Sequence, residues 1–483
     1  MSLLGRARKN IALKFATEAV IRLLALIFVV LVARTLGDQD YGKYALMIYV
    51  GGFLTILSDL GLNTLLIREV SRDHRLLPAY AGNIFSLRLL LSAGVLLLSS
   101  GLLPGMGYSR DVVLLILLGV LSLLCNHLVE FFGAITNSLE RFEYELWIKT
   151  LNKGLTVLAG LLALWLGTGI WGLAWALLIA HVVSALLNGG IIRRRVTVLT
   201  LAGDFRLWKK LIRSVLPIGL SLVFITAYVR LDIIMLSLIR SDTAEIGWYS
   251  VPVKIIEALS LFPYLIMAGL FPIFSSLSGA EHEKLHGAYE KALVYLVIVA
   301  LPLVLLIAQL ADPWLVFIFG PLFQNSVASL KIIIWVVPLI FMHYALLHLL
   351  FALNRERLII MGSALALLFN LATNLVLLPR YGYLGASVTT VATELLLVVF
   401  YLAHLQRSAF RLPLADRFLR LGLCALLMAL SLRWLSFLPV GLEAALSLLV
   451  YAGALFLSRL LVREDLILVR RIFSTDEALA PKY

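Results

Sequence analysis

Seven basic residues stand inside apolar runs of the chain, where their charge is hard to solvate: Arg22, Arg88, Lys149, Lys153, Arg230, Lys254 and Lys331. Five carboxylates share such surroundings, Glu18, Glu130, Asp232, Glu257 and Glu394, with Asp59 and Glu145 near the ends of their runs. Guanidinium forks and ammonium groups held out of water suit phosphate and pyrophosphate oxygens. A carboxylate held out of water suits a proton or a small cation. The chemistry on offer is recognition of an anionic headgroup together with coupling to H+ or Na+. Bond making has no constellation to support it: Cys125 and Cys424 lie in apolar runs, no metal-ligand spacing occurs, and the phosphate loop of a nucleotide-driven pump is missing. Neither an enzyme nor a cofactor beyond the coupling ion is expected.

Spacing sorts these charges. Arg22 lies 12 residues before Arg34 and Arg230 lies 10 before Arg240, so each sits about 15 to 18 Å along a helix from its outer end, near mid-depth. Facing inward, the two would form a cationic clamp; the competing reading is pairing of Arg22 with Glu18 and of Arg230 with Asp232. Lys149 and Lys153 share a helix face with Glu145, close enough to a membrane boundary to snorkel, as are Arg88 and Lys331. Lys254 and Glu257 are placed to neutralise each other at i, i+3. Glu394 is central in its run with no basic residue on the same helix, which makes it the leading carboxylate for a proton or cation.

The elements that must position these groups follow from composition. Charged residues make up 14% of the 483, apolar ones 61%, and the mean hydropathy is +0.99, whereas soluble domains carry about 25% charge. The chain is therefore expected to be an all-α polytopic membrane protein. Runs long enough to cross the hydrocarbon centre near residues 23, 53, 92, 122, 157, 179, 225, 261, 299, 338, 367, 393, 426 and 450, giving about fourteen spans. An even number puts both termini on one side. With the termini in the cytoplasm, 28 of the 41 Lys and Arg residues fall on the inner side and six on the outer, a strong positive-inside bias. The net charge of +13 then describes orientation in the cell membrane, and no nucleic acid is needed to explain it. The short apolar run Leu23–Ala33 is read as a retained span rather than a removed signal, because its loss would undo the charge pattern.

Three motifs recur at a near-constant offset. Gly42-Lys43-Tyr44 pairs with Gly247-Trp248-Tyr249, Glu140-Arg141-Phe142 with Asn354-Arg355-Glu356, and Gly169-Ile170-Trp171-Gly172 with Gly382-Tyr383-Leu384-Gly385, at 205, 214 and 213 residues. The organisation expected is two pseudo-symmetric six-helix bundles (1–192 and 214–406) joined by a basic linker (193–213), with two appended helices (418–462) and a tail (463–483). Pro217, Pro252, Pro263, Pro272, Pro302 and Pro338 all interrupt the second bundle, which predicts that bending is confined there.

The segment Ala33-Arg34-Thr35-Leu36-Gly37-Asp38-Gln39-Asp40-Tyr41-Gly42-Lys43-Tyr44-Ala45-Leu46, supported by Asp59-Leu60-Gly61-Leu62-Asn63-Thr64 and Ile67-Arg68-Glu69, resembles the signature of the oligosaccharide flippases of the polysaccharide transporter family. That family belongs to the multidrug/oligosaccharidyl-lipid/polysaccharide exporter superfamily. The resemblance implies movement of a polyprenyl-phosphate- or pyrophosphate-linked oligosaccharide to the outer leaflet by alternating access. It further implies Arg22, Arg88, Arg230 and Lys331 as headgroup ligands, and appended helices that form a lipid groove. Partners on this reading are the lipid-linked glycan, membrane lipids and glycan assembly enzymes, with the transporter acting as a monomer. The alternatives are a multidrug exporter of organic cations and a scaffold for glycan assembly.

Overall fold

The computed structural model describes the backbone of residues 3–197, 199–240, 242–267, 282–406 and 415–460. Its side chains begin at Val20 in the first segment and His286 in the fourth, and positions 217, 218, 220, 221, 225 and 415 are further exceptions. The Glu18 and Pro217 side chains, Pro272 and the tail 463–483 lie outside the described residues. Regular structure among the described residues is helical throughout. In the first half the helices are α1 (Leu3–Thr55), α2 (Leu62–Arg72), α3 (Leu77–Leu102), α4 (Arg110–Ser138), α5 (Phe142–Trp165) and α6 (Gly169–Arg195). There follow α7 (Phe205–Ile239), α8 (Thr243–Leu259), α9 (His282–Phe319), α10 (Ser326–Ile333) and α11 (Val336–Ala352). The last four are α12 (Glu356–Tyr381), α13 (Tyr383–Gln406), α14 (Ala415–Trp434) and α15 (Val440–Leu457).

Among the described residues ten helices are long and apolar enough to cross a membrane, and an eleventh arises if α10 and α11, bent by 42°, form one broken span. The chain is an all-α, multi-pass membrane protein. Two features separate this number from the fourteen apolar runs. The stretch Val20–Ser58 counts once, although its 39 residues would extend about 58 Å, nearly twice the hydrocarbon thickness. Gly37 divides it with φ 75° and ψ 178°, a conformation for which a side chain would be strained. In addition, α5 and α14 carry several charges each, Glu143, Glu145, Lys149 and Lys153 in the one and Asp416, Arg417, Arg420 and Arg433 in the other.

The repeated motifs have repeated backbone geometry. Glu140 and Asn354 both take the left-handed region, at φ 56° and 53°, one residue before the arginine that leads into α5 or α12. Gly169 and Gly382 do the same at φ 64° and 52° where α6 and α13 begin. The third motif forms a crossing of α1 with α8. A Cβ on Gly42 would come within 1.8 Å of the Thr243 carbonyl oxygen, and one on Gly247 within 2.4 Å of the Asp38 carbonyl oxygen. Each glycine therefore seats the carbonyl one turn before the other, as small residues do where membrane helices touch closely. Trp248 Nε1 fastens the crossing by donating to Asp38 Oδ2 at 3.0 Å.

Contacts divide the chain into two compact units. The first comprises Met1–Leu265, Asp312–Val336 and Glu356–Leu397. One apolar core in it gathers α2, α3 and α4 around Leu66, Ile84 and Phe131 with Leu211 and Val215 of α7. The segment before α7 is fastened to α3: Ala202 N donates to Ser86 Oγ at 3.0 Å and Asp204 N to Asn83 Oδ1 at 2.9 Å. The second unit comprises Ile266–Ala311, Val337–Arg355 and Val398–Tyr483. Within it α14 packs on α15, Tyr451 OH donates to the Ile298 carbonyl at 3.0 Å, and Arg417 pairs with Glu290 at 3.0 Å.

Candidate functional site

Helix α7 carries three polar residues at alternate positions, Tyr228, Arg230 and Asp232. Residues two apart on a helix point nearly opposite ways, while residues four apart share a face. Tyr228 and Asp232 thus belong to one environment and Arg230 to another. The expected pairing of Arg230 with Asp232 does not form.

Arg230 turns toward α1. Its Nη1 donates to the Ile48 carbonyl at 3.3 Å, and the guanidinium rests where Gly52 leaves room: a Cβ there would lie 1.6 Å from Nη1. On the neighbouring turns, Tyr49 OH donates to Glu257 Oε1 at 3.1 Å, and Lys254 Nζ pairs with Glu257 Oε2 at 2.7 Å while lying 4.8 Å from the Tyr49 ring centre. Lys254 and Glu257 therefore meet as their i, i+3 spacing predicts, and Tyr49 and Arg230 join them from other helices. With two cations to one carboxylate the cluster is net positive. Arg22 lies 5.6 Å over the ring of Tyr264.

Asp232 turns the other way, and its carboxylate is buried. Oδ1 accepts from Asn370 Nδ2 at 2.7 Å and Asn374 Nδ2 at 2.6 Å, both on α12. Oδ2 accepts from Tyr249 OH at 2.9 Å and Thr390 Oγ1 at 2.6 Å. All four donors are neutral, and among the described residues no Lys or Arg pairs with it. Burying a lone charge costs several kcal/mol, so this nest is suited to holding a proton or a small cation beside the carboxylate. One helical turn away Tyr228 OH donates to Glu394, which is also buried.

The other candidates have different neighbours. Arg88 is wholly buried, ion-paired to Asp59, bonded to Asn63 Oδ1 at 3.0 Å and to the His127 carbonyl, and stacked 5.4 Å from the Phe131 ring centre. Asp59 in turn accepts from Gly61 N and Asn63 N at 3.3 and 3.4 Å, holding a turn in which Leu60 has φ 44°. The motif Asp59-Leu60-Gly61-Leu62-Asn63 is a strained turn clamped by an arginine. Lys149 pairs with Glu145 at 2.9 Å, and Lys331 with Asp312. Glu130 accepts from Asn126 at 3.0 Å, and Asn126 accepts from Asn152 at 2.8 Å. Lys153 is half-buried on α5. Among the described residues no group of three or more His, Cys, Asp or Glu is gathered for a metal.

Charge alone does not reveal Tyr49, Gly52, Tyr249, Asn370, Asn374 and Thr390. A usable signal was present for two of them, since Asn370 and Asn374 place two amides one turn apart in an apolar run.

A sequence profile of the family described as polysaccharide biosynthesis protein matches residues 7–278, more than half of the chain. The chain belongs to this family. The resemblance carried by Ala33–Leu46 agrees with that membership. A curated relative, the uncharacterized membrane protein MJ1068 of Methanocaldococcus jannaschii, is 25% identical over 206 residues, 41% of this chain. The match spans 40% of that relative's length. Solved structures share the fold at low identity. The lipid II flippase MurJ in an inward closed conformation aligns with TM-score 0.74 at 15% identity, over 94% of this chain and 99% of its own. An inward-facing multidrug resistance transporter of the MATE family aligns with TM-score 0.66 at 16% identity, over 80% and 98%. The MATE transporter DinF-BH aligns with TM-score 0.58 at 16% identity, over 85% and 97%.

Proposed function

We propose that this family member is a flippase that carries a polyprenyl-phosphate- or pyrophosphate-linked oligosaccharide from the cytoplasmic to the outer leaflet for polysaccharide or surface-glycan synthesis, by alternating access coupled to H+ or Na+. The observation that carries the reading is the net-positive cluster of Arg230, Lys254, Tyr49 and Glu257, with Arg230 held in the space left by Gly52. A diphosphate meets guanidinium and ammonium donors there, with Arg22 as a further cation on this reading. At this cluster the one carboxylate, Glu257, is ion-paired to Lys254, which favours an anionic over a cationic cargo there. The shared fold with the lipid II flippase supports a lipid-linked cargo. Asp232, in its nest of neutral donors, is the coupling residue we infer, with Glu394 beside it.

On this reading the chain has fourteen crossings in two six-helix bundles plus an appended pair, acts as a monomer and keeps both termini in the cytoplasm. The reciprocal seating of Gly42 and Gly247 supports the duplication, and the asymmetry of basic loop residues supports the orientation. The α1–α8 crossing then lies toward the outer side, where it would have to part for cargo to leave. The deciding experiment is a deletion strain complemented with wild-type or Arg230→Ala/Lys254→Ala protein. Wild type should restore surface glycan, and the double variant should accumulate lipid-linked oligosaccharide on the inner leaflet at normal protein abundance. Full export by the double variant would sink the reading, and restored dye resistance without any effect on glycan would favour the organic-cation exporter.

A further inference from the structure

Arg193, Arg194 and Arg195 form the last turn of α6, a helix that contributes no residue to the Arg230 or Asp232 clusters. All three are exposed, and among the described residues none has a carboxylate partner. Two of them, Arg194 and Arg195, head a groove of about 980 Å³ between α5 and α6, while Arg193 does not line it. The sides of the groove are apolar, with Trp147 and Leu151 from α5 and Leu186 and Leu187 from α6. Leu186 is 72% exposed and Trp147 58%. Gly190 opens the middle, since a Cβ there would meet nothing within 4 Å. Glu143, exposed at the first turn of α5, joins the two arginines at the charged end.

Membrane position explains the apolar walls and the positive-inside bias explains basic residues at this end of α6; what neither dictates is that two guanidiniums and a carboxylate gather at one end of a single apolar groove. We propose that the groove is a binding site for a phospholipid of the leaflet that meets the C-terminal end of α6, one with a singly charged phosphodiester and a hydroxylated headgroup, as in phosphatidylglycerol. The two forks take the phosphate oxygens. Glu143 accepts from headgroup hydroxyls, and the acyl chains lie along Trp147, Leu151, Leu186 and Leu187. The charge at the mouth is two positive against one negative, which balances one phosphodiester. A free phosphate would leave the apolar walls unused.

The test uses the purified full-length protein in neutral detergent, titrated with dioleoyl phosphatidylglycerol and followed by native mass spectrometry. One molecule should be retained per chain, more tightly than phosphatidylcholine or phosphatidylethanolamine. Arg194→Gln and Arg195→Gln should each weaken retention about fivefold, as expected for one basic residue at a lipid surface. Arg193→Gln, outside the groove, should leave it unchanged. Gly190→Phe should block retention while the melting temperature stays at the wild-type value, and Gly190→Ala should retain binding. Equal retention of the three lipids, or an equal loss for Arg193→Gln, would reduce the effect to diffuse surface charge and overturn the proposal. Preferential displacement of phosphatidylglycerol by undecaprenyl phosphate would overturn the phospholipid assignment in favour of a carrier-lipid site.

Discussion

Replacing Gly52 by alanine adds one carbon at the point where Arg230 rests. The new Cβ would stand 1.6 Å from Arg230 Nη1, and ordinary contact needs about 3.4 Å, so the guanidinium must withdraw by nearly 2 Å. It is the tip of a long side chain and can do so without moving the backbone. Alanine also favours the helix by about 0.5 to 1 kcal/mol over glycine, so the protein should melt no lower than wild type. What should be lost is the reach of one charged donor to the cargo phosphate, a hydrogen bond of about 1.5 to 3 kcal/mol. That converts to a roughly 10- to 150-fold fall in transport. The assay is export of labelled lipid-linked oligosaccharide from the inner leaflet of inverted vesicles, measured for Gly52→Ala, Arg230→Ala and the double variant. The two single losses should not add, because both act on the same donor. Wild-type export by Gly52→Ala beside a dead Arg230→Ala, or fully additive losses, would show that the seat of the guanidinium is irrelevant to the cargo.

Three further outcomes are expected. Asp232→Asn, which keeps shape but removes the charge that Asn370, Asn374, Tyr249 and Thr390 surround, should leave a folded protein whose transport no longer responds to an imposed H+ or Na+ gradient; a retained response would exclude Asp232 from coupling. Arg88→Ala empties a buried site and leaves the partly exposed Asp59 without its ion-pair partner, which should cost about 2 to 3 kcal/mol of stability, below the full cost of a buried pair because water reaches Asp59, seen as a lower melting temperature, with only partial recovery in Arg88→Lys because an ammonium lacks the planar fork. Unchanged stability with lost export would instead make Arg88 a cargo ligand. Gly42→Ala places a carbon 1.8 Å from a backbone oxygen that cannot swing aside, so α1 and α8 must part. In a chain with Cys125→Ser and Cys424→Ser, a buried Ala45→Cys probe should then react faster with an impermeant maleimide.

The charged candidates were legible because a lone charge in an apolar run has few inexpensive places to go. Lys254 and Glu257 were legible as a pair because both lie on one helix face. Arg230 illustrates where that reasoning stops: its closest contacts, Ile48 and Gly52, are about 180 residues away in sequence, and only the fold brings α1 to α7. The donors around Asp232 carry a weaker sequence signal for another reason. Amides and hydroxyls cost less than charges in apolar surroundings, so Asn370 and Asn374 are marked only by their one-turn spacing in an apolar run and Thr390 by nothing but the fold. At Gly37 two apolar runs follow each other in one helical stretch and are divided by a single residue with positive φ, so length and composition count them once. Of the three motif matches, the second has a physical basis in the left-handed positions shared by Glu140 and Asn354.

The crossing of α1 and α8 has the form of an isologous contact. Gly42 against Thr243 and Gly247 against Asp38 is what two identical chains would make across a twofold axis. The positions matching Trp248 and Asp38 in the opposite copies are Lys43 and Thr243, and Trp248 holds Asp38 while Lys43 pairs with Asp40 on its own helix. The crossing therefore has a latch on one side only of an otherwise reciprocal seam, an asymmetry that two identical helices could not encode.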